Sequence, residues 1–480
     1  MRLPNFIGGS CPAQSPTAAL ERTINLYPEP SETPGEKGRG KLYPTPGMTT
    51  FATASVDTPV RGMFYTHDGR LFAVIGATLY ECDSAGTLTS RGTVALTSTE
   101  PAYLTSNGDG GGQMFISSGN VGYAYDLGTD TLTTEIASGS AMCAMLDGFI
   151  LSLDAATSTW SISDLNDATT WDPLQAQQRS QAPDRWVSLA VAGSDVWLLG
   201  EETSEVWYNA GAAPFPFQPH PNGVVPYGCA APHSARVAGD SVLWLAKSKH
   251  GSGEVVMSSG LSVRVISTAA LAWQFSQYAD ISDAVADVYQ DQGHTFYVLT
   301  FPTADATWVY DLSTGLWHER GTWDEGAVEF SAWRPLYHAF AFGAHLFGDR
   351  LAGTIYTGSV TTYTDVDGLS IRRVRVPPVL ASENARLFFT TFDLDLETGL
   401  GLESGQGSDP EVMLEYSDDN GKTWTSASTR TAGAQGAYST QVRWHRLGSS
   451  RARVFRISMT DPVPYRLIDA YVQLRPGADA

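Results

Sequence analysis

Short runs in which apolar and polar residues alternate fill most of this chain, each broken within a few residues by Gly, Asp or Asn. A period of two puts successive side chains on opposite faces of a sheet, so these runs predict β-strands. The stretch from Arg61, RGMFYTHDGRLFAVIGATLYECDSAGTLTSRGTV, parses as four of them: GMFYT, RLFAVI, ATLYEC and TLTSRG. The breaks HDG, G and DSAG hold the residue types that tight hairpins demand. Comparable units begin near Ala102, Ala141, Trp186, His233, Asp283 and Tyr337, at spacings of 41, 39, 45, 47, 50 and 54 residues. Four-stranded units at this period are the signature of propeller blades. One blade has two apolar faces, and a ring of blades covers both while leaving only short edges. The count predicts about seven blades. An aromatic residue recurring near the third strand (Tyr80, Tyr125, Trp160, Trp207, Trp308) is assigned to packing between blades. A short helix is predicted within 267–278, STAALAWQFSQY.

On either side of the repeats the pattern changes. Residues 25–48, NLYPEPSETPGEKGRGKLYPTPGM, are dense in Pro and Gly and predict an extended, irregular arm. Residues 1–59 are assigned to this arm and a ring-closing segment, 60–375 to the propeller, and 376–480 to a C-terminal module. In that module VMLEYS, DDNGK and TWTSAS read as a hairpin. STQVRWHRL and RARVFRISMT read as long alternating strands, and PYRLIDAYVQL as the closing strand. The fold class is therefore all-β: a β-propeller of about seven four-stranded blades followed by an antiparallel β-sandwich.

Charge divides the chain at the same place. Residues 1–371 hold 17 Lys and Arg against 38 Asp and Glu, whereas 372–480 hold 13 of each, so the whole net charge of −21 lies in the first part. That part repels nucleic acid at long range. The four cysteines, Cys11, Cys82, Cys143 and Cys229, are far apart and form no CxxC pair, which argues against a disulfide framework or zinc ribbon. The N-terminal string MRLPNFIGGSCPAQSPT lacks the pattern of a signal peptide, and no apolar run is long enough to span a membrane. Synthesis in a reducing cytoplasm and no membrane insertion are expected.

Candidate chemistry changes this picture little. Ser417-x-Asp419-x-Gly421-x-x-Trp424 is an Asp box, a pattern found in sugar-cutting propellers. Its physical role is a turn: Ser417 and Asp419 bond local backbone, Gly421 takes a positive φ, and Trp424 packs beneath. Gly35-x-x-x-x-Gly40-Lys41 resembles a phosphate loop, but Leu42 stands where Ser or Thr is needed and no strand–helix context surrounds it. No GxSxG or HExxH occurs. The stretches 106–112 and 364–368 have the flavour of calcium loops but lack the distal Glu, and His338 with His345 is assigned to packing or solvent. No catalytic residues, cofactor or metal are predicted. Arg443, Arg446, Arg451, Arg453 and Arg456 crowd the last strands; an exposed strand face is one reading and an interface for an acidic partner or a neighbouring copy is the other.

Several strings together carry a resemblance. They are the NLYP arm with KLYPTPG, TSTWSISDLNDATTWDPL, DVWLLGEETSEVWYNAG, and SDDNGKTWT followed by VRWHRLGSSRARVFRISMTDPVPYRLIDAYVQL. In this order the chain resembles the packaged-DNA stabilisation proteins of short-tailed bacteriophages, also called tail hub, tail accessory or nozzle proteins. The resemblance implies a structural protein of the virion tail. Its members form a hexameric ring below the portal and adaptor, retain packaged double-stranded DNA, line its exit and anchor tailspikes, fibres or needles. It implies no enzyme activity and no cofactor. The competing class is a carbohydrate-binding or carbohydrate-cleaving propeller of a tail-associated depolymerase. If a ring of copies encloses the DNA, the acidic excess of 1–371 is expected to line its lumen.

Overall fold

The computed structural model describes residues 1–31, 38–97, 100–179, 182–249, 251–382 and 385–477. Blade 1 comprises Val60–Tyr65, Leu71–Ile75, Thr78–Cys82 and Leu88–Thr93, close to the four runs parsed from the pattern. Blades 2, 3 and 4 follow, beginning with Tyr103–Ser106, Met142–Leu146 and Trp186–Ala192. Blade 5 begins with the short strands Gly228–Cys229 and Arg236–Ala238, and blade 6 with Val285–Asp291. Between them lies the helix Ala269–Ser276, capped by the Thr268 hydroxyl accepting from the Leu271 N–H at 3.3 Å.

Blade 7 is closed from the other end of the chain. Pro335–Ala341, Ala344–Asp349 and Thr354–Ser359 supply three strands, and Gly47–Thr53 supplies the fourth, with Thr354 opposite Thr53 and Ser359 opposite Gly47. Seven blades result, and their innermost strands touch in a closed ring. The recurring aromatics sit between blades as expected. The Trp160 and Trp207 rings of blades 3 and 4 meet edge to face at 5.6 Å, and Tyr125 of blade 2 meets Phe72 of blade 1 at 5.2 Å.

The arm departs from expectation. The described residues of 25–48 are not an irregular tail: Leu26–Pro30 and Gly40–Pro44 are paired strands, and Leu20–Ile24 precedes them. All three belong to the sandwich. One sandwich sheet runs Leu26–Pro30, Gly40–Pro44, Leu467–Pro476, Leu387–Leu396 and Val442–His445. The other runs Leu20–Ile24, Arg373–Val376, Ala452–Met459, Glu411–Ser417 and Ser428–Thr431. Prolines are tolerated because Leu26–Pro30 is an edge strand, where Pro28 and Pro30 need donate no ladder bond. Leu26 and Leu42 are fully buried with Phe389, Phe392, Trp444, Phe455 and Leu467. Gly40 and Lys41 open a strand rather than a phosphate loop; Gly35 lies outside the described residues. The predicted long strand STQVRWHRL shrinks to Val442–His445 because Arg446 and Gly448, at φ 60° and 78°, turn the chain.

Candidate functional site: the propeller axis and the propeller–sandwich seam

Two places concentrate buried polar chemistry. The first is the centre of the propeller. Tyr103 is on the inner strand of blade 2, and His233 precedes that of blade 5, yet the Tyr103 hydroxyl and His233 Nδ1 are 2.9 Å apart. Blades 2 and 5 are separated by two blades on one side and three on the other, so this bond crosses the axis. Arg236 of blade 5 lies over the Tyr103 ring at 5.4 Å and reaches Asp287 of blade 6 at 3.7 Å. Asp287 also accepts from the His338 N–H of blade 7 at 2.6 Å. Burial pushes the His233 pKa down to about 4, with Arg236 adding to the effect, and pushes the Asp287 carboxyl up against the opposing pull of Arg236. These groups pack against one another and fix the blades, and the Tyr103–His233 contact closes the axis at their level.

The second is the seam with the sandwich. Leu20–Ile24 pairs antiparallel with Arg373–Val376 and, on its other edge, parallel with the outer strand Leu316–Asp324 of blade 6, Ile24 facing Glu319. Blade 6 and one sandwich sheet are therefore one continuous sheet of twelve strands. Glu319 accepts from the Ser10 hydroxyl at 2.9 Å and from Arg22 Nε and Nη2 at 3.1 and 2.5 Å. Asn25 bridges the carbonyls of Gly321 and Arg372 at 2.8 and 3.0 Å. Arg375, fully buried, donates to the carbonyls of Phe6 and Asn5 at 2.7 Å each, to those of Gly9 and Arg22 at 3.3 Å, and to the Thr23 hydroxyl at 2.7 Å. Burial without a carboxylate contact pulls its pKa down to about 10. Arg61 uses the same device between blades 1 and 2, donating to the carbonyls of Glu100 and Gly76 and to the Ser118 hydroxyl.

The Asp box docks on this seam. The Ser417 hydroxyl donates to Asp419 at 2.7 Å and accepts from the Gly421 N–H at 2.8 Å, and Asp419 accepts from the Thr423 N–H and hydroxyl at 2.9 and 2.6 Å. These bonds hold the Asp419 carboxyl well below the usual range, Thr423 contributing most. Gly421 has φ 84°, and a Cβ there would lie 2.3 Å from Leu20 Cδ2. Trp424 packs with Ile24, Val374, Val376, Val454 and Phe330 under the Arg456 guanidinium, 4.2 Å above its ring. The box thus joins sandwich, arm and blade 6, which its sequence did not disclose.

The five arginines are not one patch. Arg453 and Arg456 are three apart on one strand and so point to opposite faces. Arg453 is buried over the Phe389 and Tyr416 rings and pairs with Asp418 at 2.6 and 2.7 Å. Arg456 pairs with Glu415 at 2.6 and 2.7 Å. Arg443 pairs with Asp393 in the other sheet. Those three are committed within the chain; Arg446 and Arg451 stand at the surface. Among the described residues, no group of three His, Cys, Asp or Glu is arranged to hold a metal, and the cysteines are free. In the loop 364–368, Asp365 caps the Val366 N–H and Asp367 pairs with Arg334 at 2.6 Å.

Comparison with known families decides what this architecture is. Residues 19–363 match the family model described as bacteriophage P22 Gp10, β-propeller, and residues 372–475 match bacteriophage P22 Gp10, β-sandwich. The chain belongs to the bacteriophage P22 Gp10 family. Both halves of its fold are those of this phage structural family, and the propeller match takes in the arm that the tertiary structure shares with the sandwich. A search of curated proteins returns no match. Solved structures are similar to the chain at low identity. A streptogramin B lyase is 11% identical at a TM-score of 0.41, covering 66% of this chain and 98% of its own. The virginiamycin B lyase of Staphylococcus aureus is 9% identical at 0.46, covering 65% and 99%. The extracellular domain of the hybrid two-component system BT4673 of B. thetaiotaomicron is 8% identical at 0.44, covering 76% and 45%. Among the described residues of the Gp10-family chain, no helix is long and apolar enough to cross a membrane.

Proposed function

We propose that this Gp10-family chain is a non-enzymatic ring component of a short-tailed phage tail. In this reading it forms a homo-oligomer, a hexamer, below the portal and adaptor, retains packaged DNA, surrounds the exit path and anchors spikes, fibres or a needle. The observation that carries it is the match of both domains to phage structural families. Two features support it. The propeller and sandwich share a twelve-stranded sheet, so the chain can carry load as one body. The axis of the single propeller is crossed by the Tyr103–His233 bond, which favours a duplex path between copies over one through a single propeller.

Charge supports an unattached duplex. DNA carries about one negative charge per 1.7 Å, and a basic lumen would hold it by counterion release. The acidic excess of 1–371 would instead keep it centred within a Debye length of about 8 Å. Reconstitution of the purified chain with portal and adaptor rings, imaged by electron cryo-microscopy, tests the assembly. A hexameric ring with an acidic lumen is expected; a chain that stays monomeric with every partner ring would overturn the reading.

A further inference from the structure

One surface is used by nothing described so far. The first hairpins of blades 6 and 7, with the edge of blade 5, enclose an open groove of about 820 Å³, within the size range of small-ligand sites. Its walls hold Phe340, His345, His338, Gln290, Asp291 and Gln292. Phe340 is 56% exposed, large for an aromatic ring, and its neighbour His345 lies 5.0 Å away centroid to centroid. Gln290 and Gln292 are exposed on the facing hairpin.

The polar groups are ordered. His338 Nε2 and His345 Nδ1 are 2.9 Å apart, and His345 Nε2 faces Asp291 Oδ1 at 3.8 Å. One of the two bonded ring nitrogens donates to the other, and the Asp291 carboxylate, which only accepts, lies beyond hydrogen-bond distance of His345 Nε2. The hairpin bearing Phe340 is also braced. Its turn residue Phe342 sits at φ 55°, a costly conformation for an aromatic residue, and is held by the Tyr65 and Phe51 rings at 5.6 and 6.4 Å.

We propose that this groove binds a short neutral saccharide. No Lys or Arg lines it, Asp291 does, and the lining His294 is already paired with Asp311 and Glu29 at 2.7 and 3.5 Å, so phosphates, acidic sugars and nucleic acid find no unpaired cation there. A purely apolar ligand would cover Asp291 and both glutamines without pairing them. A neutral sugar ring has a C–H face that stacks on Phe340, and edge hydroxyls that both donate and accept. Those hydroxyls match a carboxylate and two amides. The proposal does not rest on ring assembly and assigns no bond cleavage.

The probe is a panel of neutral malto-, manno- and galacto-oligosaccharides titrated against the full chain by saturation-transfer NMR. At least one is expected to bind, with Phe340→Ala weakening it about tenfold or more and Gln292→Ala weakening it less. Phe340 and Gln292 are exposed, so both variants should melt as the parent does. Tyr438→Ala, on an exposed sandwich loop, is the control and should bind unchanged. Absence of binding by the whole panel, binding that survives Phe340→Ala, binding lost only in Tyr438→Ala, or preference for acidic sugars would each overturn the proposal.

Discussion

Replacing Arg375 by Met keeps most of its length but removes all five bonds that it donates to residues 5–23. Three of its five bonds are short, to the carbonyls of Phe6 and Asn5 and the Thr23 hydroxyl, all at 2.7 Å. Bonds from a charged donor contribute roughly 1.5–3 kcal/mol each, so their loss costs about 5–9 kcal/mol. An opposing term comes from no longer burying a cation. Its pKa falls from 12.5 to about 10, which at about 1.4 kcal/mol per pH unit is roughly 3 kcal/mol. The net expectation for Arg375→Met is about 2–6 kcal/mol of destabilisation. Arg375→Lys keeps the charge but offers at most three donors without the planar fork, and should fall between parent and Met. Guanidinium titration gives the midpoint, and hydrogen exchange over residues 5–23 locates the effect. The reasoning is refuted if Arg375→Met keeps the parent midpoint, or if the midpoint falls while exchange in 5–23 is unchanged.

Gly421→Ala places a Cβ against Leu20 and an L side chain at φ 84°, so it should cost about 2–3 kcal/mol, read from the same titration. Ala52→Asp buries an unpaired carboxylate in the strand that closes blade 7, where Ala52 is 4% exposed. It should cost about 3–5 kcal/mol, and a parental melting temperature would refute the closure argument. Acid should weaken the fold. Burial holds His338 down to about 3, with His345 adding to the effect, and His233 down to about 4, whereas unfolded histidines protonate near 6.5. The unfolded chain then binds more protons as pH falls from about 6.5 towards 4, so these groups lose stability across that window. Asp365, pushed up to about 6 by burial, acts in the opposite sense, as do Asp287 and Asp469, raised by burial, and His294, raised by Asp311; His318, held well below 6.5 by burial, and the hydrogen-bonded carboxyls of Glu81 and Asp419, held down, add to the loss. Melting temperature should fall between pH 7 and 4.5, and less steeply in His338→Gln; an equal slope in both would count against this.

The local pattern by itself determined the blades. Alternation and turn residues are properties of neighbours in sequence, so blade 1 falls within a residue or two of GMFYT, RLFAVI, ATLYEC and TLTSRG, and Thr268 with its following apolar run marks the helix. The Asp-box turn was legible for the same reason, because Ser417, Asp419 and Thr423 bond within four residues. Partner choice over long separations was not legible. Gly47–Thr53 pairs with Thr354–Ser359, and Leu42 lies opposite Leu467, because buried sheet edges need partners, and no sequence spacing names them. The Pro-rich composition of 25–48 described an edge strand as readily as a loose arm, and only the sandwich core decided between them. Arg375 looked like one more basic residue in RVRV; five acceptors brought from residues 5–23 make it a structural lock. Arg453 and Arg456 are close in sequence, but a strand's period of two sends one into the core and the other onto Trp424. Tertiary structure alone set Tyr103 against His233 across the axis and Phe340 against Gln292 across a groove, because both meetings join side chains that no local rule relates.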